Sequence, residues 1–121
     1  MPQQSRDRPA EAQGEVILLV RDLIMQSRVA GVAKRLEIPV AGVRSPDQLS
    51  PDRAARLLIV DLDLDGALAA ATAWAAATGG RAAGFVQHVH VERIREAKQA
   101  GIDPIIPRSR LDAVLPELLR A

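Results

Sequence analysis

The chain alternates short apolar runs with longer segments in which apolar residues recur at helical spacing. Residues 16–20 and 57–60 are continuous apolar runs, a pattern typical of strands that are buried on both faces of a sheet. Three shorter or weaker strands are predicted at 39–43, 82–86 and 104–106. The pattern therefore predicts five strands that are separated by helical segments.

Three helices are predicted from apolar spacing and from the glycines that end them. Residues 23–36 carry apolar side chains at helical spacing, and residues 66–78 form an alanine-rich segment that stops before Gly79. A third helix is predicted at 91–100, where Gly101 suits the left-handed conformation that closes many helices.

Two more helices are predicted from capping signals. Ser45 is expected to cap a helix that has Pro46 in its first position and Gln48 completing a capping box. Ser109 is expected to cap the last helix, and Pro116 inside that helix predicts a kink or a break. Because five strands alternate with five helices, we expect an α/β fold with a doubly wound parallel sheet and right-handed crossovers.

Length and composition limit the classes of function. The chain of 121 residues is long enough for one core, and the absence of cysteine excludes disulfides, thiol catalysis and cysteine-bound zinc. A net charge of +1 provides no general electrostatic argument for binding nucleic acid or an anionic membrane. No apolar run reaches the roughly 20 residues of a membrane span, and the polar N-terminus lacks a secretory signal. We therefore expect a cytoplasmic protein, with residues 1–14 as a disordered tail and residues 15–121 as one domain.

Candidate chemistry lies where the predicted strands end. Asp61 directly follows the apolar run 57–60, and open α/β sheets bind ligands beyond the carboxyl ends of their strands. Asp22 follows the first predicted strand, His88 the fourth and Arg108 the fifth. Since the strands are expected to be parallel, these four side chains are expected at one edge of the sheet.

From about residue 16 to residue 119, these features resemble the receiver domains of response regulators in two-component signalling. The resemblance implies a flavodoxin-like sheet with strand order 2-1-3-4-5 and a phosphoryl group accepted at the end of the third strand, where Asp61 matches. Receivers also hold magnesium with an acidic pair after the first strand. Here that pair is Arg21 and Asp22, so only Asp22 matches. Residues 99–103 match the Ala-Gly-Ala-Asp turn of the family.

Three other positions depart from the receiver pattern. Val86 stands where receivers have a hydroxyl that binds the phosphoryl group. Arg108 and Ser109 stand where the family has Lys-Pro, and Ile105 replaces the usual aromatic switch residue. The resemblance therefore implies a divergent pseudo-receiver with a degenerate phosphorylation site.

The altered site leaves several roles open for its charged residues. Asp22 and Asp61 are candidates for a weakened magnesium site, since carboxylates are ligands that magnesium prefers. Arg21 is expected to point away or to replace the metal as a structural cation. Arg108 is expected to hold Asp61 in a static ion pair or to bind an anionic ligand.

Two histidines and two aspartates near these residues suggest further interpretations. His88 and His90 share a face of an extended segment but make a poor zinc set, so exposed loop positions are expected. His88 is also a candidate to hydrogen-bond Asp61 or a ligand. Asp63 and Asp65 resemble the Asp-x-Asp-Gly signature of haloacid-dehalogenase phosphatases, but they are expected instead to form a turn and cap the next helix.

The leading functional hypothesis is a stand-alone, atypical receiver-like signalling domain that is not an enzyme. It is expected to act by contact with a sensor kinase or another signalling protein, and a homodimer is a further candidate assembly. Two alternatives stay open. One is a working receiver that is phosphorylated on Asp61 with Mg²⁺ as cofactor. The other is a binder of small anions that uses Arg21, His88 and Arg108.

Overall fold

The structure of the protein, a computed structural model, describes residues 14–88 and 90–121. The predicted tail, residues 1–14, lies outside this part of the chain except for Gly14. Five strands are found: β1 (Val16–Leu19), β2 (Val40–Val43), β3 (Leu57–Asp61), β4 (Arg81–Val86) and β5 (Ile105–Pro107). They form one parallel sheet in the order β2-β1-β3-β4-β5, which confirms the predicted strands and their order.

Four α-helices occur in the described residues, whereas five were predicted. They are α1 (Leu23–Arg35), α2 (Ala67–Thr78), α3 (Val91–Gln99) and α4 (Arg108–Arg120). None of the helices in residues 14–88 and 90–121 has the length and apolar character needed to cross a membrane.

The predicted second helix is only a short 3₁₀ turn, Pro46–Gln48. The side chain of Ser45 makes no capping bond, and Gln48 Oε1 instead accepts the backbone N–H of Arg44 at 2.7 Å. The turn cannot extend far because Pro51 follows closely, which disfavours helical geometry in the residue before it and removes a donor.

The last helix begins earlier than predicted and is not interrupted. It begins at Arg108 directly after β5, with Pro107 as the N-cap residue, so Ser109 lies inside the helix and does not cap it. The helix is continuous through Pro116, so the predicted break is absent. Its buried leucines, including Leu115 and Leu119 on either side of the proline, hold this stretch against the sheet.

Each face of the sheet is covered by its own pair of helices. Alternate residues of a strand point to opposite faces, so each strand contributes to both cores. On one face, α1 and α4 pack against the strands through Met25, Val29, Ala33, Leu111, Leu115, Leu118 and Leu119. On the other face, α2 and α3 pack through Ala67, Ala71, Trp74 and Ala97. Because helices cover both faces, the ends of the sheet are the places available for polar chemistry in the described residues.

Trp74 packs against its own sheet and is fully buried. Its indole Nε1 donates to the backbone carbonyl of Arg53 at 2.7 Å, so burial leaves no unpaired polar atom on the ring. The side chain therefore anchors α2 and the segment before β3 to each other.

Candidate functional site

The carboxyl edge of the sheet brings together the charged residues that follow the strands. Asp61 is the last residue of β3, and Asp22 follows β1, the strand paired beside β3. The chain leaves β1 first toward β2 and later returns to β3 on its other side. A crevice for ligands is expected at such a switch point, and both aspartates lie at the two strand ends that border it.

Asp61 is partly buried, and its carboxylate takes part in a local turn. Its Oδ1 accepts the backbone N–H of Asp63 at 2.9 Å. Burial raises the pKa of Asp61, although this bond and the nearby positive charge of Arg108 act in the opposite direction. Within residues 14–88 and 90–121, no lysine, arginine or histidine nitrogen lies within 4.0 Å of the Asp61 carboxylate. Asp61 therefore has no direct ion-pair partner there.

Asp22 has both carboxylate oxygens engaged. Its Oδ1 caps α1 by accepting the backbone N–H groups of Ile24 at 2.9 Å and of Met25 at 3.4 Å. Its Oδ2 accepts a bond of 2.8 Å from Nη2 of Arg108. The Arg108 bond is the main reason that the pKa of Asp22 lies below its usual value, and the two backbone bonds lower it further.

Arg108 connects strand ends that are not neighbours. It follows β5, whereas Asp22 follows β1, and β3 and β4 lie between those strands. Three steps of about 4.8 Å separate β1 from β5, roughly 14 Å in all, so the ion pair reaches across the strand ends beside Asp61. Nη1 of Arg108 also donates to Oε1 of Gln87, after β4, at 3.2 Å. The predicted ion pair between Arg108 and Asp61 is therefore not observed, because Asp22 is the carboxylate that the guanidinium meets.

Arg21 does not neutralise Asp61. Its side chain is exposed, and in the part of the chain that the structure describes it lies within 4.0 Å of no carboxylate. Its backbone carbonyl accepts a bond of 3.2 Å from Nε of Arg44. Of the two roles expected for Arg21, the geometry agrees with a side chain that points away from the crevice.

Asp63 ties the loop after β3 to the loop after β4. Its Oδ2 accepts the backbone N–H groups of Gln87 at 2.6 Å and of His88 at 3.3 Å. Its other oxygen is buried without a hydrogen-bond partner in the described residues, and Nη1 of Arg93 is 3.8 Å away. Sequence reasoning did not find this role, because no local pattern links Asp63 to an amide 24 residues later.

The predicted capping of α2 by Asp63 and Asp65 is wrong. The N-cap residue of α2 is Gly66, which has a φ of 82° and no side-chain cap. Asp65 is exposed, and the Asp63 carboxylate is used by the loop after β4 instead. The positive φ at Gly66 explains the glycine, since other residues avoid this conformation.

The histidines do not complete a site within the described residues. His88 and His90 are both exposed. The hydrogen bond found for His88 comes from its backbone N–H to Asp63, and none joins its imidazole to Asp61. At the end of β4, Val86 is buried and offers no hydroxyl.

While Arg108 is paired with Asp22, the residues at this edge do not fit a divalent cation. No group of three or more histidines, aspartates or glutamates with the geometry to hold a metal is found across residues 14–88 and 90–121. Both oxygens of Asp22 are already hydrogen-bonded, and the guanidinium of Arg108 is 2.8 Å from one of them. Magnesium requires several oxygen ligands in near-octahedral geometry, which this arrangement does not provide.

Comparisons with known proteins agree with the fold. No family model and no curated protein sequence matches the chain. A response regulator receiver protein from Pseudoalteromonas atlantica superposes with a TM-score of 0.73 at 12% identity, over 85% of this chain and 91% of that one. A two-component response regulator from Clostridium difficile gives 0.73 at 12% identity, over 88% and 95%. This chain has the receiver fold.

A third receiver-fold structure carries ligands. It is a response regulator protein from Burkholderia pseudomallei that contains a phosphorylated aspartic acid, a calcium ion and citrate. It superposes with a TM-score of 0.73 at 14% identity, over 86% of this chain and 65% of that one. At such identities the likeness establishes the receiver fold, while the role of each residue depends on the geometry described above.

Proposed function

We propose that this chain is an atypical receiver-like signalling domain that acts by protein–protein contact and does not depend on phosphorylation of Asp61. The ion pair between Asp22 and Arg108 carries this proposal, because it occupies the oxygen that a metal at this edge would need. Under this proposal the domain is not an enzyme, and its partner is a sensor kinase or another signalling protein. A second copy of the chain is a further candidate partner.

Phosphoryl transfer to a carboxylate brings negative charges together and needs a cation to offset them. The guanidinium of Arg108, whose positive charge acts on Asp61, is held at 2.8 Å by Asp22 and at 3.2 Å by Gln87, so its charge is already partly neutralised. The apolar side chain of Val86 at the end of β4 supplies no hydroxyl to a phosphoryl oxygen. These features together support a site that is not phosphorylated.

A working receiver is the second candidate, and the state of Asp61 favours it. The carboxylate lies at the strand tip, partly buried and without a direct ion pair in the described residues. The similar protein from Burkholderia pseudomallei contains a phosphorylated aspartic acid together with calcium. A small-anion binder has less support, since Arg108, one of the residues expected to bind the anion, is already paired with Asp22.

Intact mass spectrometry distinguishes the two candidates. The full chain is incubated with Mg²⁺ and acetyl phosphate beside the Asp61→Asn variant, with a receiver of known activity as the positive control. We expect no phosphoryl adduct on the chain while the positive control is labelled. An adduct that the Asp61→Asn variant lacks would establish the working receiver and overturn the proposal.

Contact with a protein is tested separately from the chemistry. Light scattering over a range of concentrations measures whether the chain forms a homodimer. Cross-linking with mass spectrometry then identifies which surface contacts a candidate sensor kinase. Binding that is equal for wild type and Asp61→Asn is expected, because the proposed contact does not require phosphorylation. Binding that appears only after treatment with acetyl phosphate would contradict the proposal.

A further inference from the structure

We infer that Arg108 is a built-in cation that takes the place of a divalent metal at the carboxyl edge of the sheet and holds its loops in one arrangement. The inference rests on the proposed function and specifies how the edge is kept ordered without a metal. Removal of this guanidinium should therefore create affinity for a divalent cation.

Arg108 balances negative charge at the carboxyl edge of the sheet. Asp22, Asp61 and Asp63 follow two neighbouring strands, so three carboxylates lie near one edge. Arg108 pairs with Asp22, and its positive charge also acts on Asp61, where it opposes the rise in pKa that burial causes. A fixed cation among carboxylates reduces their mutual repulsion, as a bound metal ion does.

Arg108 also connects the loops that follow different strands. The guanidinium binds Asp22 after β1 and Gln87 after β4, and its own backbone follows β5. The backbone N–H of Gln87 binds Asp63 after β3, at 2.6 Å. The ends of β1, β3, β4 and β5 are therefore joined in one hydrogen-bonded chain. A guanidinium suits such a junction because it offers five donors and stays charged at any physiological pH.

Arg108 excludes a divalent cation from Asp22. A divalent cation bound by Asp22 would need an oxygen that Arg108 now occupies, and it would stand beside a positive charge. Repulsion between charges at such distances is substantial near a protein surface. The tethered guanidinium cannot dissociate from the domain, so it competes with the metal at every concentration of the protein.

Electron paramagnetic resonance of free Mn²⁺ measures how much of the ion the protein binds. This measurement tests whether Arg108 excludes a divalent cation from Asp22. Wild type is expected to bind Mn²⁺ weakly, and Arg108→Ala to bind it about tenfold or more tightly, because the change frees the Asp22 carboxylate and removes a charge. Arg108→Gln keeps a long polar side chain without the charge and is expected to gain affinity as well.

Arg110→Ala is the matched control. It removes one positive charge from the same turn of α4, but Arg110 is exposed and contacts no carboxylate within 4.0 Å in the described residues. Arg110→Ala should therefore bind Mn²⁺ as weakly as wild type. The double variant Arg108→Ala/Asp22→Asn should lose the gain. Equal Mn²⁺ affinity of Arg108→Ala and Arg110→Ala, with both variants folded by circular dichroism, would overturn the inference.

Hydrogen exchange measured by mass spectrometry tests the order of the loops. We expect faster exchange after β1, β4 and β5 in Arg108→Ala than in Arg110→Ala, with Mg²⁺ restoring protection only in Arg108→Ala. Identical exchange in the two variants would contradict the inference. A phosphoryl adduct on wild type would refute the proposed function. Absence of both the adduct and the gain in Mn²⁺ affinity would refute this inference alone.

Discussion

The interior of the domain and the carboxyl edge of its sheet are held together by different chemistry. Every residue that is buried in the described part of the chain is apolar, so the interior depends on volume and shape. The edge contains carboxylates and guanidinium groups that are partly exposed and directional, such as Asp22, Asp63 and Arg108. The interior therefore determines whether the chain folds, while the edge determines which loops are tied together.

The largest loss of stability should follow from truncation of Trp74 in the interior. Trp74→Ala removes the largest buried side chain and leaves the carbonyl of Arg53 without its donor, which should cost about 3–5 kcal/mol of unfolding free energy. Urea unfolding followed by circular dichroism measures this, since the chain loses its only tryptophan.

Trp74→Phe is the informative companion because it keeps an aromatic ring and loses only the indole donor and part of the volume. Its cost should be clearly smaller than that of Trp74→Ala. If both variants lose the same free energy of unfolding, the hydrogen bond to Arg53 stabilises the fold more than the packing of the indole ring does.

A methyl group added at Gly84 should disturb the packing of the interior next to the carboxyl edge. A Cβ there would lie 2.7 Å from Cδ1 of Leu62, the buried residue next to Asp61. Gly84→Ala should therefore destabilise the fold by about 1–3 kcal/mol through overpacking. Gly31→Ala is the control, because nothing lies within 4 Å of the added atom in α1. That variant should be stabilised by up to about 1 kcal/mol, and a loss similar to that of Gly84→Ala would exclude overpacking as the cause.

Asp22 should contribute less to the free energy of unfolding than these interior positions do. Its contribution comes from the cap of α1 and from its ion pair with Arg108. Asp22→Ala removes both, whereas Asp22→Asn keeps an oxygen for the cap of α1 and loses the charge. We therefore expect Asp22→Ala to be the less stable variant in urea unfolding at neutral pH. Equal losses would assign the whole effect to the ion pair.

The stabilisation by Asp22 should depend on pH. The folded state lowers the pKa of this carboxyl, so its contribution is complete above the ordinary aspartate value and is lost as the pH falls through the lower, folded pKa. The stability difference between wild type and Asp22→Asn should therefore narrow on acidification below that ordinary value. A difference that stays constant into strong acid would contradict the ion pair.

Replacement of Asp61 should change stability least, and it should stabilise the fold where the other losses destabilise it. Burial raises its pKa, so the folded state is penalised once the pH rises above the ordinary aspartate value and through the folded pKa. Asp61→Asn should raise the melting temperature by a few degrees at neutral pH and have little effect in acid. A lower melting temperature at neutral pH would indicate that the charged carboxylate has a stabilising partner.

Most of the fold could be predicted because its signals are local. The continuous apolar run before Asp61 identifies a central strand, and Gly101 has the positive φ expected where α3 ends. The helix at Pro46 was overestimated, because a capping pattern cannot reveal how soon the chain must turn toward β3. The start of α4 was misjudged by two residues, because Pro107 and not Ser109 serves as the N-cap residue.

The candidate site was predicted only in part. The sequence indicates that Asp22, Asp61, His88 and Arg108 share one edge, because residues that follow parallel strands are brought to the same end of a sheet. It does not indicate that Arg108 binds Asp22 rather than Asp61, since the partners are 86 residues apart and either carboxylate is chemically suitable. The role of Asp63 was missed for the same reason.

By itself, the sequence determined the alternation of strands and helices, the apolar interior and the absence of cysteine chemistry. These properties depend on residue type and on spacing along the chain. The tertiary structure alone decided that Arg108 reaches across two strand ends to Asp22, that Gln87 shares this guanidinium and that Asp61 has no direct ion pair in the described residues. Pairing of charges depends on distances between segments that are remote in sequence, and those distances exist only once the sheet has formed.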